Sequence, residues 1–438
     1  MRQLLTILLL VLTFCEATGQ NSYTLDTYIS AVLENDFGIK LMKNEVLISE
    51  NENNPGAAGY LPTIGVTAEQ NWTINSARQE FLSGQVNEAS NAKNQAFTAG
   101  LMLNWTFFDG FRMFATDKKL DLLEEQTKLN LAAEMEMKIY SATLSYYTYL
   151  VLSEMKKVYE QSVDLSHARR ELLELRVEKG AASEMELIQA RLDVTADSAV
   201  LLDNMRATEQ LRAEMNKLLG RSPEIELQLE GELPETIKQL TWEQLTEAVL
   251  TQNTTLLLAK SGIAVREKER KEALSRYYPQ LAFYGAYNFG TSQNEVGFLL
   301  SNRSYGPQFG LTLRWDILDG LTRMKDTKNA RIRIESAGIV AEQQELAVKT
   351  ELHIAFQDYE WAVRMMEFEQ RNAMEAEEMA DIMEKSLQSG ALTPLELREI
   401  QFGITLARSR LLNAQLNYLT STLNISLASG DFKNLLTD

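Results

Sequence analysis

Histidine, cysteine and methionine carry much of protein catalysis and soft-metal chemistry, and in this chain they are few or spaced for packing. Of the two histidines, His167 and His353, neither has a nucleophile or metal ligand at useful spacing. The only cysteine is Cys15, so neither a disulfide framework nor thiolate chemistry is expected. Sixteen methionines include Met365, Met366, Met374, Met379 and Met383, which raises soft-metal export as an idea. At helical spacing, thioethers more often fill space than bind metal. Glycine-rich phosphate loops are absent. The expectation is a protein that is not an enzyme and holds no cofactor or metal.

Carboxylates are in excess, with 61 Asp and Glu against 43 Lys and Arg and a formal charge of −18. Such a chain repels nucleic acid, so no nucleic-acid partner is expected. The charge suits either a solvated surface or an acidic water-filled lumen, and composition does not choose. Apolar residues make up 45% and charged residues 24%, a globular balance.

Residues 1–19 read as a cleaved signal peptide: Arg2, an apolar run from Leu4 to Phe14, then Ala17-Thr18-Gly19. Bulky Phe14 argues against a lipid anchor at Cys15. No later run is long and apolar enough for a membrane-spanning helix.

An internal duplication organises the remainder. Tyr23-Thr24-Leu25 parallels Leu240-Thr241-Trp242, and Leu61-Pro62 parallels Tyr278-Pro279, both at an offset of 217. Trp105, Asp109-Gly110, Gly180 and Gly220 parallel Trp315, Asp319-Gly320, Gly390 and Gly430 at an offset of 210. The seven-residue difference falls near 75–94 against 292–304, where a variable loop is expected. The first repeat covers 20–222: a helix, a β-hairpin over 62–108, a long helix over 111–178 and a return helix over 183–219. The second covers 240–430, with a hairpin over 279–318, a long helix over 321–388 and a return helix over 393–428. A linker (223–239) joins them and a tail (431–438) follows. None of the seven prolines interrupts either long stretch. Each stretch would run about 100 Å. Leu144, Val151, Val158, Leu165 and Leu172 recur every seven residues, as do Ile354, Trp361, Phe368, Glu375 and Ile382, which predicts coiled-coil-like packing along both lines. Residues 241–276 read as continuing the return helix 183–219, and residues 24–54 as stacking in the same way with 393–428, from opposite ends of the chain. The alternating Ile225, Leu227 and Leu229 predict a short strand lying outside the bundle.

The hairpins divide into strands near 62–74, 95–108, 279–290 and 306–318. Phe97, Ala99, Leu101, Leu103, Trp105 and Phe107 share a face, as do Phe309, Leu311, Leu313, Trp315 and Ile317, with polar residues between them. Strands of this length cross a bilayer, and aromatics at their ends, among them Trp72, Trp105, Phe107, Tyr278 and Trp315, form a candidate interfacial girdle against outer-membrane lipid. Natural membrane barrels start at about eight strands, and an open edge in lipid is not tolerated. Four strands per chain therefore require further copies.

The chain resembles the TolC-like outer-membrane efflux protein family. The resemblance rests on Leu25-Asp26-Thr27-Tyr28-Ile29-Ser30-Ala31 with Asn35, on Leu61-Pro62, and on Trp105-Thr106-Phe107-Phe108-Asp109-Gly110 with its repeat Trp315-Asp316-Ile317-Leu318-Asp319-Gly320. It rests also on Val177-Glu178-Lys179-Gly180, Met185 to Ala190, Ser389 to Leu397, and Leu416 to Ile425. It implies a mainly α fold with a transmembrane β-barrel portion, in which a homotrimer shares a 12-stranded barrel and a periplasmic α-helical tunnel. It further implies an outer-membrane location, docking of a periplasmic adaptor at the helix tips (Gly180, Ala181, Gly390, Ala391), and an inner-membrane pump. The family's acidic gate rings map onto Glu186, Glu396 and Glu399, with Gln189 at the position matching Glu399. Three-fold symmetry would favour cations at such rings. The family's tip lock maps onto Leu387 and Leu392, neither of which can form its ionic and hydrogen-bonded contacts; an apolar constriction would take its place. Small-molecule efflux is the leading function, with type I polypeptide secretion and a periplasmic coiled-coil scaffold or adaptor as alternatives.

Overall fold

The computed structural model describes residues 22–234, 237–296, 299–389 and 392–431, without the side chains of 384, 387–389 and 394. The expected signal peptide, Gly390, Ala391 and nearly all of the tail lie outside this set.

In chain order, α1 (Leu25–Asn35), α2 (Phe37–Glu52) and α3 (Pro55–Ala58) lead into β1 (Thr63–Glu80) and β2 (Val86–Phe108). Then follow α4 (Arg112–Glu178), α5 (Glu184–Leu218), α6 (Trp242–Gln252) and α7 (Thr254–Ser275). Strands β3 (Gln280–Asn294) and β4 (Ser301–Arg314) precede α8 (Thr322–Ser389) and α9 (Pro394–Ser429). The two long helices hold 67 and 68 residues, as the proline-free stretches predict.

These elements form two compact units that cut across the sequence repeats. One comprises Met1–Asn44, Leu129–Leu257 and Gln343–Asp438, and is mainly helical where described. Its core holds two clusters related by the duplication. Tyr28, Val32, Ala142, Tyr146 and Met215 form one. Leu245, Val249, Leu352 and Ile425 occupy the equivalent places in the other, with Phe356 packed against them. At two of these places the tyrosines of the first repeat, Tyr28 and Tyr146, give way to Leu245 and Phe356 in the second. The second unit, Glu45–Lys128 and Leu258–Glu342, contains the sheet.

Local chemistry explains the boundaries. At each long helix start, Gly110 and Gly320 adopt positive φ, followed by Phe111 and Leu321 in the same region. Asp109 Oδ1 then accepts from the amide of Met113 at 3.1 Å, and Asp319 Oδ2 from that of Arg323 at 3.0 Å. The Asp-Gly pair therefore turns the chain and caps the helix.

The structure corrects five expectations. Each return helix ends against the short helices of its own repeat and not of the other: Gly220 after α5 meets Asn35, and Asn253 Nδ2 donates to Ala428 O of α9 at 2.9 Å. The stretches 24–54 and 241–276 are broken at Asp36 and Asn253. Both leave helical backbone (ψ 132° and 113°) and cap the following helix, Asp36 Oδ1 accepting from Ile39 N at 3.1 Å and Asn253 Oδ1 from Leu256 N at 2.9 Å. Most of the expected loop at 75–94 is strand, since β1 and β2 stay paired to Glu80 and Val86 around an irregularity at Asn75/Ala77. Polar residues there hid the strands from a hydrophobicity pattern. The 223–234 segment forms only a parallel bridge between Tyr23 and Leu229, and Leu227 is buried in the core. Finally, the seven-residue line in α8 is not its buried seam. Val348, Leu352, Ala355, Tyr359, Met366, Ala373 and Met383 are buried instead, while Trp361 and Phe368 are 67% and 60% exposed.

Candidate functional site: an open sheet and the helix-hairpin tips

The sheet is a single antiparallel array in the order β1-β2-β3-β4. Its two hairpins share one register: Thr63 opposes Asn104 in the first, and Gln280 opposes Arg314 in the second, which are the same pair under the two repeat offsets. Between hairpins, Leu101 opposes Tyr287 and Ala99 opposes Phe289. One face carries Ile64, Val66, Trp72, Leu101, Trp105, Tyr287, Phe309, Leu311 and Leu313, all exposed. The opposite face carries Thr67, Asn71, Thr98, Asn104, Gln308 and Thr312. A sheet with one exposed apolar face has the chemistry of a surface in lipid, with water on its other side. Among the described residues, β1 and β4 are paired on one side only.

The candidate girdle residues lie where strands meet helices, apart from Trp72, which lies within β1. Trp105 Nε1 donates to the Tyr60 carbonyl at 2.9 Å, and Trp315 Nε1 to the Tyr277 carbonyl at 3.2 Å. Each indole thereby ties a strand exit to the strand start of its own hairpin and keeps its ring exposed. Phe107 stacks edge-on to Trp105, with centroids 6.0 Å apart. Tyr278 packs against Phe111 at 5.8 Å. Among the described residues no helix is long and apolar enough to cross a membrane, which bears on helices and not on strands.

At the first tip, Gly180 turns with φ 67°, its amide donating to Val177 O and that of Ala181 to Arg176 O. Both residues are exposed. Beyond each tip stands a capping box. Glu186 Oε2 accepts from Ser183 N at 2.7 Å and Ser183 Oγ at 2.8 Å. Glu396 Oε2 accepts from Thr393 N at 2.9 Å and Thr393 Oγ at 2.7 Å. Two of the residues assigned to an acidic gate are therefore helix caps as well. The backbone and side-chain hydrogen bonds from Ser183 and Thr393 hold both carboxyls below the usual glutamate range, so both are ionised at neutral pH. Glu399 is exposed, as is Gln189, whose amide donates to Asp193 Oδ1 at 3.0 Å. Leu392 packs against the cluster of Ala376, Met383, Leu397, Ile404 and Ala407, inside the α8–α9 hairpin. The side chain of Leu387 is outside the described set.

Sequence reasoning missed a buried ionic network set back from the tips. Arg398 of α9 makes two bonds to Asp197 of α5, at 2.6 and 3.0 Å. Ser166 of α4 also donates to Asp197. Arg169 of α4 pairs with Asp193 of α5. Gln401 of α9 donates to Ser162 O at 2.7 Å and reaches Ser166 Oγ at 3.2 Å. The side chains of Arg398, Asp197, Asp193 and Arg169 are 22%, 13%, 13% and 3% exposed. The network joins the α4–α5 hairpin to α9. Its only sequence signal was Ser162, Ser166 and Arg169 at spacings of four and three, which put three polar groups on one helix face.

Residues 245–431 match the family model for outer membrane efflux proteins. No curated protein matches the chain. Among solved structures, the CmeC outer membrane channel of Campylobacter jejuni is similar with a TM-score of 0.78 at 14% identity, covering 93% of this chain and 85% of that one. The outer membrane protein VceC of Vibrio cholerae gives 0.73 at 14% identity, with coverage of 93% and 96%. The MtrE outer membrane channel of Neisseria gonorrhoeae, in its open state, gives 0.71 at 16% identity, with coverage of 93% and 88%. The chain has the fold of these channels.

Proposed function

We propose, from a fold shared with outer-membrane channels and a second repeat that matches outer membrane efflux proteins, that this chain is the outer-membrane channel subunit of a tripartite efflux system. The observation that carries the reading is the four-stranded sheet with one exposed apolar face and two half-paired edges. Such a sheet is unstable in water and incomplete in lipid, and both faults are removed when copies close a barrel. A homotrimer with a 12-stranded barrel is the assembly the family resemblance supports, with the helical unit forming the periplasmic tunnel. The duct is passive: it conducts small molecules delivered by a periplasmic adaptor and an inner-membrane pump. The adaptor docks at the tips around Gly180, Ala181, Gly390 and Ala391. Glu186, Glu396 and Glu399, with Gln189, line the narrow end and favour cations, with Leu387 as its apolar part; Leu392 packs inside the α8–α9 hairpin and is not assigned to it. Trp72, Trp105, Phe107, Tyr278 and Trp315 face the lipid interface.

Reconstitution in a planar bilayer tests this. Detergent-purified protein should insert and give discrete, cation-preferring conductance steps. Purification as a detergent-independent soluble monomer would reject the channel and favour a periplasmic scaffold.

A further inference from the structure

The duplication makes the molecule its own template for the contact between copies. Within the chain, the end of the first repeat (β2 and the start of α4) packs on the beginning of the second (α7 and β3). The end of the second repeat and the beginning of the first are equivalent surfaces, and in one chain each lacks that partner. Phe108, Phe111 and Phe114 cluster together, with Phe111 5.8 Å from Tyr278. Phe108 is half-buried, whereas its equivalent Leu318 is 83% exposed; Phe111 and Tyr278 keep more than half of their surface exposed despite their contact, as do their equivalents Leu321 and Leu61. A Cβ on Gly110 would lie 2.2 Å from Ser275 O, whereas Gly320 has no described atom within 4 Å. The helices follow the same rule. Ile354, Trp361 and Phe368 are exposed on α8, while their α4 equivalents Leu144, Val151 and Val158 are more buried, Val151 being 2% exposed. By helical spacing those three lie on the side of α4 where Tyr140 and Ser162 bond α9.

We infer that β4 of one copy pairs antiparallel with β1 of the next in one defined register, with Phe309 opposite Trp72, Leu311 opposite Gln70 and Leu313 opposite Ala68. The assignment rests on the shared-barrel reading. It follows from applying the two offsets to the β2–β3 register, since Ala99 opposes Phe289, Leu101 opposes Tyr287 and Leu103 opposes Gly285. The offsets are justified because they already carry one hairpin register into the other. Apolar patterning supports the parity: Ile64, Val66, Trp72 and Ile74 then share a face with Phe309, Leu311 and Leu313, and a one-residue slip would oppose Trp72 to a polar-face residue. Patterning alone does not fix a two-residue slip; the repeat does. Leu61 of the next copy then seats on Leu321, as Tyr278 does on Phe111. The seam is more apolar than its template, because the ion pair of Lys119 and Glu272 at 2.7 Å has Asn329 and Pro55 at the equivalent places.

Disulfide trapping tests the register, and Cys15 is the only native cysteine. Directly opposed residues have Cα atoms about 4.5–5.5 Å apart, inside the range that a disulfide bridges. Ala99→Cys with Phe289→Cys calibrates the method within one chain, because that pair is the template. On mild oxidation in detergent, Trp72→Cys with Phe309→Cys should convert monomer to a ladder of covalent oligomers. Trp72→Cys combined with Leu311→Cys or with Pro307→Cys, the two-residue slips, should leave most chains uncrosslinked. Ala68→Cys with Leu313→Cys reports the same register should loss of both aromatics prevent folding. An oligomer that crosslinks best through a slipped pair would overturn the register and leave the shared barrel standing. A chain that stays monomeric in detergent and crosslinks only through the Ala99/Phe289 pair would overturn the shared barrel itself.

Discussion

Removing the Arg398 guanidinium tests whether the network behind the tips holds the two helix hairpins together. Arg398→Met keeps most of the aliphatic stem and deletes the charge. Asp197 then loses bonds of 2.6 and 3.0 Å and keeps the Ser166 hydroxyl, in a site where its side chain is 13% exposed. Breaking a fully buried pair by removing one partner costs about 3–5 kcal/mol. Residual exposure lets water take part of the load, so about 2–3 kcal/mol is the expected cost. Restoring neutrality with Arg398→Met plus Asp197→Leu should recover much of that loss, because the penalty is the stranded carboxylate rather than the missing attraction. Amide hydrogen exchange of the α9 peptide around residues 398–404 reads this directly. At about 1.4 kcal/mol per tenfold, the single variant should exchange roughly 30- to 150-fold faster. The double variant should return most of the way. Gln401 keeps its bonds to Ser162, so the loss should stay local to this part of α9. If Arg398→Met left exchange within about threefold of the parent, the network would hold nothing together. If the double variant were as unprotected as the single one, the stranded-charge reasoning would fail.

Three further predictions concern the glycines and the caps. Gly220 and Gly430 have φ of 64° and 75°, and a Cβ on either would lie 2.9 or 2.8 Å from the carbonyl oxygen of Asn35 or Gln252. Gly180, with φ 67°, has no described atom within 4 Å of such a Cβ. Alanine at Gly180 should cost about 1–2 kcal/mol for its backbone alone, and at Gly220 or Gly430 about 1–3 kcal/mol more for the clash. Comparative thermal unfolding in detergent checks the order, and equal costs at all three would refute it. At the second tip, Glu396→Gln with Glu399→Gln removes charge, while the glutamine amide that replaces the first carboxylate can still accept the capping-box bonds. Cation preference in single-channel recording should then fall with protection of the 393–397 amides retained; unchanged selectivity would reject the ring. Glu396 is held below its ordinary range by its cap bonds, so that stabilisation is complete above the unfolded value near 4.3 and lost as pH falls through the folded value. Peptide protection should decline with acid in the parent and stay flat in Glu396→Gln.

Much of the fold was legible because its signals are local and repeated. The Asp-Gly turns, the proline-free helices and the offsets of 217 and 210 needed no tertiary information. What escaped did so for identifiable reasons. The breaks at Asp36 and Asn253 are caps inside an amphipathic pattern, and a single capping residue does not disturb the period around it. The distal parts of β1 and β2 are polar on both faces, so alternation has nothing to report there. The tip carboxylates were found as charges and missed as caps, although Ser183 and Thr393, each three residues before its glutamate, spell the capping box in sequence. Arg398 and Asp197 lie 201 residues apart, and nothing local pairs them.

The misassigned heptad in α8 bears most directly on assembly. Ile354, Trp361 and Phe368 keep a seven-residue rhythm with no buried seam behind it in the single chain, while a second line, from Val348 to Met383, does the packing. A helix 68 residues long with two apolar lines, one satisfied and one bare, is built for more than one neighbour. In α4 the corresponding line is more buried. The two repeats thus differ in cover as well as in bulk: Leu144, Val151 and Val158 are packed within the chain, while the equivalent Ile354, Trp361 and Phe368 are bare. An interface of this head-to-tail kind either closes into a ring or propagates without limit. In a bilayer only closure leaves no strand edge unpaired. Under the proposed shared barrel, the bare line on α8 and the bare edge on β4 are both assigned to the next copy's first repeat.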